Sequence, residues 1–513
     1  MPIVGVTCVL IDMRSNFQIQ PQLNIVPIEK IQIPTKSRDQ LAPVLLALQW
    51  IYTTPEIRRQ IFDLLEQKIL PGKSKDKGRP GLDLWQILVL GIVRNARDCD
   101  YDELEDLASH HTLIRQFLNL PAVAGSDLTN TPDLTHKTIS NNVCHITDEL
   151  LHDINKIVAQ HGRNLLSKKN GEEQIIAKCD TYVLETNVHF PTDINLLWDA
   201  GRKTIDIIVP LTEYFDLPGW RKHKSIRAGL KNQMRALGNV SQKGGANKHE
   251  RLQQGARVYL DQAKALSAKA NATLGQLRSL ALCLVQSARL VELTYFVEML
   301  DKHIDLIERR ILKGETIPHE EKVFSLFEPH TQWISKGKAG CPVELGRKLL
   351  ITTDEYQLIL DYHNMDKPDE HPQATATVAR ILKQYGEGSL KSISFDKGFS
   401  SKANKAQLQD VAGCVIMPKK GKCNAEEAAE EHQADYIKLR HAHSAVESNI
   451  NSLEHHGLDR CPDKGYHGYT RYTGLGVIAY NLHQIGKGIL RQAQEAKDKA
   501  AKKLQRQIER DAA

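Results

Sequence analysis

Three acidic residues set the chemistry open to this chain: Asp180, Asp396 and Glu447. Asp180 follows the apolar run Ile175-Ile176-Ala177-Lys178-Cys179, and Asp396 follows Ser392-Ile393-Ser394-Phe395. Glu447 falls on a helical pattern whose buried stripe is Val446, Ile450 and Leu453, one step round from that stripe. A carboxylate on a buried strand is costly unless something cationic neutralises it. Three of them brought together offer hard oxygen ligands to Mg2+ or Mn2+. Two such ions would suit an in-line displacement at a phosphodiester. Each acid taken singly is more often a turn or cap residue, and Glu185, Asp193, Asp199 and Glu454 are rivals for the same role.

The elements that must position these residues follow from periodicity. Residues 174–186 read as a strand, and helical spacing fills residues 214–312. Strands return at 332–334, then at 348–353 and 357–362 as a hairpin across Asp354-Glu355. A helix over 374–385 stops at Gly386, the Asp396 strand follows, then a short helix over 402–410 and a strand at 414–417. One long helix over 425–454 ends near Gly457. Without the helical insert the order is β-β-β-α-β-α-β-α, an α/β fold with a mixed sheet flanked by helices. Asp396 then sits at the carboxyl end of its strand, where ligands of α/β sheets gather.

The remaining segments divide by composition. Residues 1–40 form an extended leader, and residues 41–165 are helical, including one helix over 137–160. A basic, turn-rich break at 71–81 interrupts them. Several short helices behind a basic loop suit a helix-turn-helix-like DNA-binding head, and equally a plain bundle. The mixed-sheet core, the candidate catalytic domain, spans 170–485, interrupted by a basic insertion at about 214–315, and 486–513 is a basic helical tail. In residues 217–260 ten basic residues face a single acidic one, Glu250. Arg221, Lys222, Lys224, Arg227, Lys231 and Arg235 lead this run, which points to a polyanionic partner.

Other chemistries lack support. The 513 residues carry a net charge of only +6, and none of the nine cysteines forms a Cys-x-x-Cys pair, so the thiols read as reduced and structural. His441, His443, His455 and His456 lack a second ligand group at zinc spacing. There is no phosphate-binding Gly-rich loop and no local Ser-His-Asp arrangement. Trp220 and Trp333 read as core residues rather than platforms for a displaced base. The first 22 residues lack a signal-peptide layout and no apolar run is long enough for a membrane span, so a cytoplasmic address is expected.

Four blocks, in order, carry a family resemblance. Residues 180–193 with Leu196-Leu197-Trp198-Asp199 resemble the first-aspartate block of bacterial insertion-sequence DDE transposases, the ISNCY type above all. Residues 78–86 and 101–108 resemble their N-terminal helical domain, and Phe395-Asp396-Lys397-Gly398-Phe399 the second-aspartate block. Residues 443–453, 456–460 and 481–486 resemble the glutamate block and its tail. The resemblance implies an RNase H-like core with Asp180, Asp396 and Glu447 as the metal-binding triad. It also implies Mg2+ or Mn2+, cleavage at the terminal inverted repeats of a mobile element, and strand transfer into target DNA. A homodimer pairing two ends in the nucleoid would follow.

Many relatives carry Tyr and Arg seven and four residues before the glutamate and Lys seven after; here those places hold Arg440, His443 and Glu454. Arg440 keeps a charge that could face phosphate, and the positive role at 454 is lost. Two rival readings share the same residues: an RNase H-like nuclease without strand transfer, and a non-catalytic DNA-binding relic.

Overall fold

Side chains that take up first-turn N–H groups fix several helix starts in the N-terminal half. Asp83 and Gln86 cap each other at the start of the helix Leu84–Ala96, and Asp100 and Glu103 do the same for Tyr101–His110. The computed structural model describes residues 12–13, 25–36, 39–70, 79–122, 134–167, 174–245, 247–335, 342–409 and 411–511. Most of the leader and most of the basic break at 71–81 lie outside the described residues. Two compact units emerge, one holding Leu10–Asn187 and Ile334–Ala513, the other holding Val188–Trp333.

In the larger unit the N-terminal helices are α1 (Leu41–Thr53), α2 (Pro55–Ile69), α3 (Leu84–Ala96), α4 (Tyr101–His110), α5 (Thr112–Phe117), α6 (His136–Val143) and α7 (Asp148–Leu166). The single helix expected over 137–160 is thus two. Thr147 restarts the chain by accepting the Leu150 N–H at 3.3 Å. Val44, Leu48, Leu88, Ile92 and Ile154 share one core with Leu475, Ile478, Leu482 and Ile485. Those last four belong to the C-terminal helix Gly465–Asp511. The N-terminal helices therefore have no separate core, and the basic tail is the exposed continuation of a helix whose first half is buried.

The smaller unit is helical: α8 (Asp193–Tyr214), α9 (His223–Gln242), α10 (Lys248–Arg278) and α11 (Leu284–Ile307). They close on Leu197, Ile208, Leu230, Leu266 and Leu300. The unit begins earlier than the sequence suggested, because Thr192 caps α8 through the Asn195 N–H and α8 runs on through Pro210. Trp220 is buried with its indole N–H on Thr273, and Trp333 packs between Phe190 and Phe324, so both tryptophans are packing residues.

The sheet of the larger unit begins with β1 (Ile175–Thr186) and β2 (Gln332–Ser335), then the hairpin strands β3 (Val343–Thr353) and β4 (Ile359–Asn364). After α12 (Gln373–Tyr385) come β5 (Leu390–Phe395), α13 (Lys402–Gln409) and β6 (Val415–Ile416). β1 is central, antiparallel to β3 and parallel to β5; β4 pairs with β3, and β6 lies parallel beyond β5. This is a mixed, open sheet in an α/β fold. The helix expected over 425–454 is three: α14 (Ala425–Glu431), α15 (Ala434–His443) and α16 (Ala445–Leu453). A short strand β7 (Arg460–Cys461) pairs with β1, and α17 (Gly465–Asp511) completes the chain. Gly386 (φ 95) and Gly457 (φ 79) take the left-handed backbone that ends a helix and stand where the sequence placed stops. No helix among the described residues is long and apolar enough to cross a membrane.

Candidate active site

The register of the parallel pair decides where the two aspartates lie. Cys179 of β1 is opposite Phe395, the last residue of β5. The chain leaves the sheet at Asp396, which is exposed, beside Asp180. Asp180 itself stays within its strand, half-buried and paired with Ile351 of β3. The break at Ser444 starts a new helix, so Glu447 lies in the first turn of α16, at the favourable end of the helix dipole. That helix packs on β1. It is pinned to β3 by Asn449, whose side-chain N–H donates to the Thr353 hydroxyl at 3.3 Å.

The electrostatics tie the three carboxylates together. Burial pushes the Asp180 carboxyl up to about 7; the Thr181 N–H, at 2.7 Å, pulls it back, and the charges of Asp396, Glu370 and Glu447 push it further up. Among the described residues none of Asp180, Asp396 and Glu447 has an ion-pair partner. Three of the four rivals are committed elsewhere, Glu185 to Arg460, Asp193 to Arg310, and Asp199 to His189 and Arg202; Glu454 has no ion-pair partner among the described residues. The ligand atoms of the three carboxylates do not all lie within 4.8 Å of one another. The described group whose ligand atoms all lie within 4.8 Å is elsewhere, at Asp102, Glu105 and His136, where Glu105 already accepts from the His136 backbone.

A fourth carboxylate, Glu370, was not visible from the sequence. It sits in the turn-rich link between β4 and α12, a segment without periodicity, and its partners are distant in the chain. Glu370 Oε1 accepts from the Thr181 hydroxyl at 2.6 Å and from the Lys348 ammonium at 2.6 Å. Its other oxygen lies where a side chain on Gly398 would begin. Glu370 thus joins β1, β3 and the turn after Asp396.

His443, at the end of α15, lies in the same neighbourhood. Burial holds its imidazole below the usual range, Asp396 and Glu447 pull it up, and Lys178 pushes it down. Arg440, one turn earlier, is spent on Glu431 at 3.2 Å rather than held free for a phosphate. Several hard oxygen donors, with more negative charge than local cations balance, fit a divalent cation. Asp180, Asp396 and Glu447 could hold it, with Glu370 behind them.

In the smaller unit, Lys224, Arg227, Lys231 and Arg235 recur at three- and four-residue spacing along α9 and are all exposed or partly exposed, as are Arg221 and Lys222 just before it. Of these six, Arg227 is paired, with Asp206, and Lys231 reaches the Trp198 ring. The stripe is a cationic surface with little internal neutralisation. No protein-family model, curated protein or solved structure matches the chain.

Proposed function

We propose that this chain is a DNA transposase of the DDE type with an RNase H-like catalytic core. One observation carries the reading. The parallel register sets Asp396, at the end of its strand, beside Asp180 within the neighbouring strand, the glutamate helix packs on the strand of Asp180, and all three carboxylates lack ion-pair partners among the described residues while Glu185, Asp193 and Asp199 have them. A central strand between an antiparallel hairpin and two parallel strands supports the RNase H-like part. Four sequence blocks in order support the transposase part.

On this reading Asp180, Asp396 and Glu447 would hold Mg2+ or Mn2+, two ions in all, which would supply an activated water or 3′-hydroxyl and charge stabilisation at the leaving oxygen. The Lys348–Glu370–Thr181 bridge fixes the strand that carries Asp180. The stripe on α9 tracks the phosphate backbone, with a steep salt dependence. The substrates are the terminal inverted repeats of a mobile element and a target DNA, and two ends call for two protomers. Such a protein works in the nucleoid, within the cytoplasm.

An Asp396→Asn protein tests the reading. It is expected to bind duplex DNA as the wild type does and to lose metal-dependent strand cleavage. Unchanged cleavage would remove Asp396 from the site.

A further inference from the structure

Residues 493–507 of α17 are all exposed, a bare extension of a helix whose first half is buried. Lys499, Lys502, Lys503 and Arg506 recur there at three- and four-residue spacing, so at 100° per residue they fall within one ~100° arc. None of the four has an ion-pair partner among the described residues. The nearby acids are not spent on them. Asp498 accepts from the Gln494 side-chain amide at 2.8 Å, and Glu509 accepts from that of Gln505 at 3.2 Å. Glu495, one turn before Lys499, likewise forms no ion pair among the described residues.

Such an arc works against the helix that carries it. Lys499 with Lys503 and Lys502 with Arg506 are like-charged pairs four residues apart, and each weakens an isolated helix. A polyanion laid along the arc relieves that repulsion. At 1.5 Å rise per residue the four charges span ~10 Å, the length of about three phosphate steps of one duplex strand at 3.4 Å. The rest of the helix surface does not suit a bilayer. Leu504 and Ile508 are the only large apolar residues between Gln494 and Ala513, and no aromatic residue joins them.

We propose that this exposed end of α17 is a second contact for duplex DNA, in which Lys499, Lys502, Lys503 and Arg506 neutralise about three phosphates of one strand. The inference rests on the reading of the chain as a DNA-binding protein, and needs neither the metal site nor strand transfer. The arc belongs to the larger unit and the α9 stripe to the smaller one, so the two surfaces are built from separate residues. A contact of this kind holds the backbone and carries no sequence information.

The test is the salt dependence with which the full-length protein binds a fluorescent duplex of arbitrary sequence. Wild type is set beside the quadruple variant Lys499→Gln/Lys502→Gln/Lys503→Gln/Arg506→Gln and beside Lys499→Arg/Lys502→Arg/Lys503→Arg, which keeps every charge. The slope of log K against log salt should flatten by roughly 2.7 in the quadruple variant, 0.9 for each of about three phosphates, and keep its wild-type value in the arginine variant. Affinity of the quadruple variant at ~0.1 M salt should fall about tenfold or more. Circular dichroism checks that each variant folds. An unchanged slope and affinity in the quadruple variant overturns the α17 contact and leaves the DNA-binding reading standing. An equal loss in the arginine variant overturns it too, since charge is then not the cause. Binding to anionic lipid vesicles that the quadruple variant loses, with an unaltered DNA slope, gives the surface to a membrane and overturns the proposal. If wild type binds no duplex, the DNA-binding reading falls as well.

Discussion

Acid should weaken the larger unit through a buried histidine pair, and the size of the effect can be worked out. His456 Nε2 and His483 Nδ1 lie 2.9 Å apart, with the residues 1 % and 7 % exposed. Burial pushes His456 down to about 4, with Lys487 adding to it, and burial pushes His483 down to about 3, with His456 and Lys487 adding. Both rings stay neutral in the folded chain at a pH where the unfolded chain protonates them. The unfolded state therefore binds more protons below about pH 6.5, so stability is full above that value and is lost as the pH falls toward 4. Between pH 7.5 and 5.0 the loss is about 2 kcal/mol for each ring, ~4 kcal/mol for the pair.

Raised carboxyls act in the opposite sense over the same window. Asp83 and Asp180 are pushed up to about 7 and Asp354 to about 6, so acid relieves them. A comparison with His456→Leu/His483→Leu cancels their contribution, since all three are present in both proteins. Replacing both partners of a buried hydrogen bond with apolar side chains is also the mildest way to remove it. Urea unfolding at the two pH values is the assay. Wild type should lose about 4 kcal/mol more than the double variant on acidification. Equal losses in the two proteins would refute the argument.

Two further expectations concern the site and the basic surface. Gly398→Ala forces the Glu370 carboxylate to shift, and is expected to weaken its bonds to Thr181 and Lys348. It should cut metal-dependent cleavage while the unfolding free energy changes by no more than about 1–3 kcal/mol, and full activity would remove Glu370 from the support of Asp180. Changing Lys224, Lys231 and Arg235 together to Gln should flatten the slope of log K against log salt for duplex DNA by roughly 0.9 for each phosphate no longer neutralised. An unchanged slope would place the DNA on another surface.

Much of the sheet was legible because its strands are short apolar runs bounded by turn residues. The 357–362 strand, the stop at Gly386 and the strand before Asp396 all stand close to where the pattern put them. The misses have physical causes. Pro210 inside α8 and Pro191 just before it obscured a helix that tertiary packing sustains, so the start of the helical unit was read too late. The break at Ser444 leaves the apolar spacing of its neighbours intact, and periodicity alone does not reveal it. Glu370 meets Thr181 and Lys348 only through the fold, and no local signal marks it. The union of α17 with the N-terminal helices was equally hidden, since a core shared across several hundred residues has no signature in either segment.

The most direct test of the transposase reading uses a labelled duplex carrying any inverted repeats found to flank the coding sequence, with Mg2+ or Mn2+ and a target DNA. Wild-type protein should cut the repeat end and join it to the target only with the metal present, and Asp180→Asn should do neither while still binding the end. Cleavage without joining would make the protein a nuclease. Joining that survives Asp180→Asn would contradict the site itself.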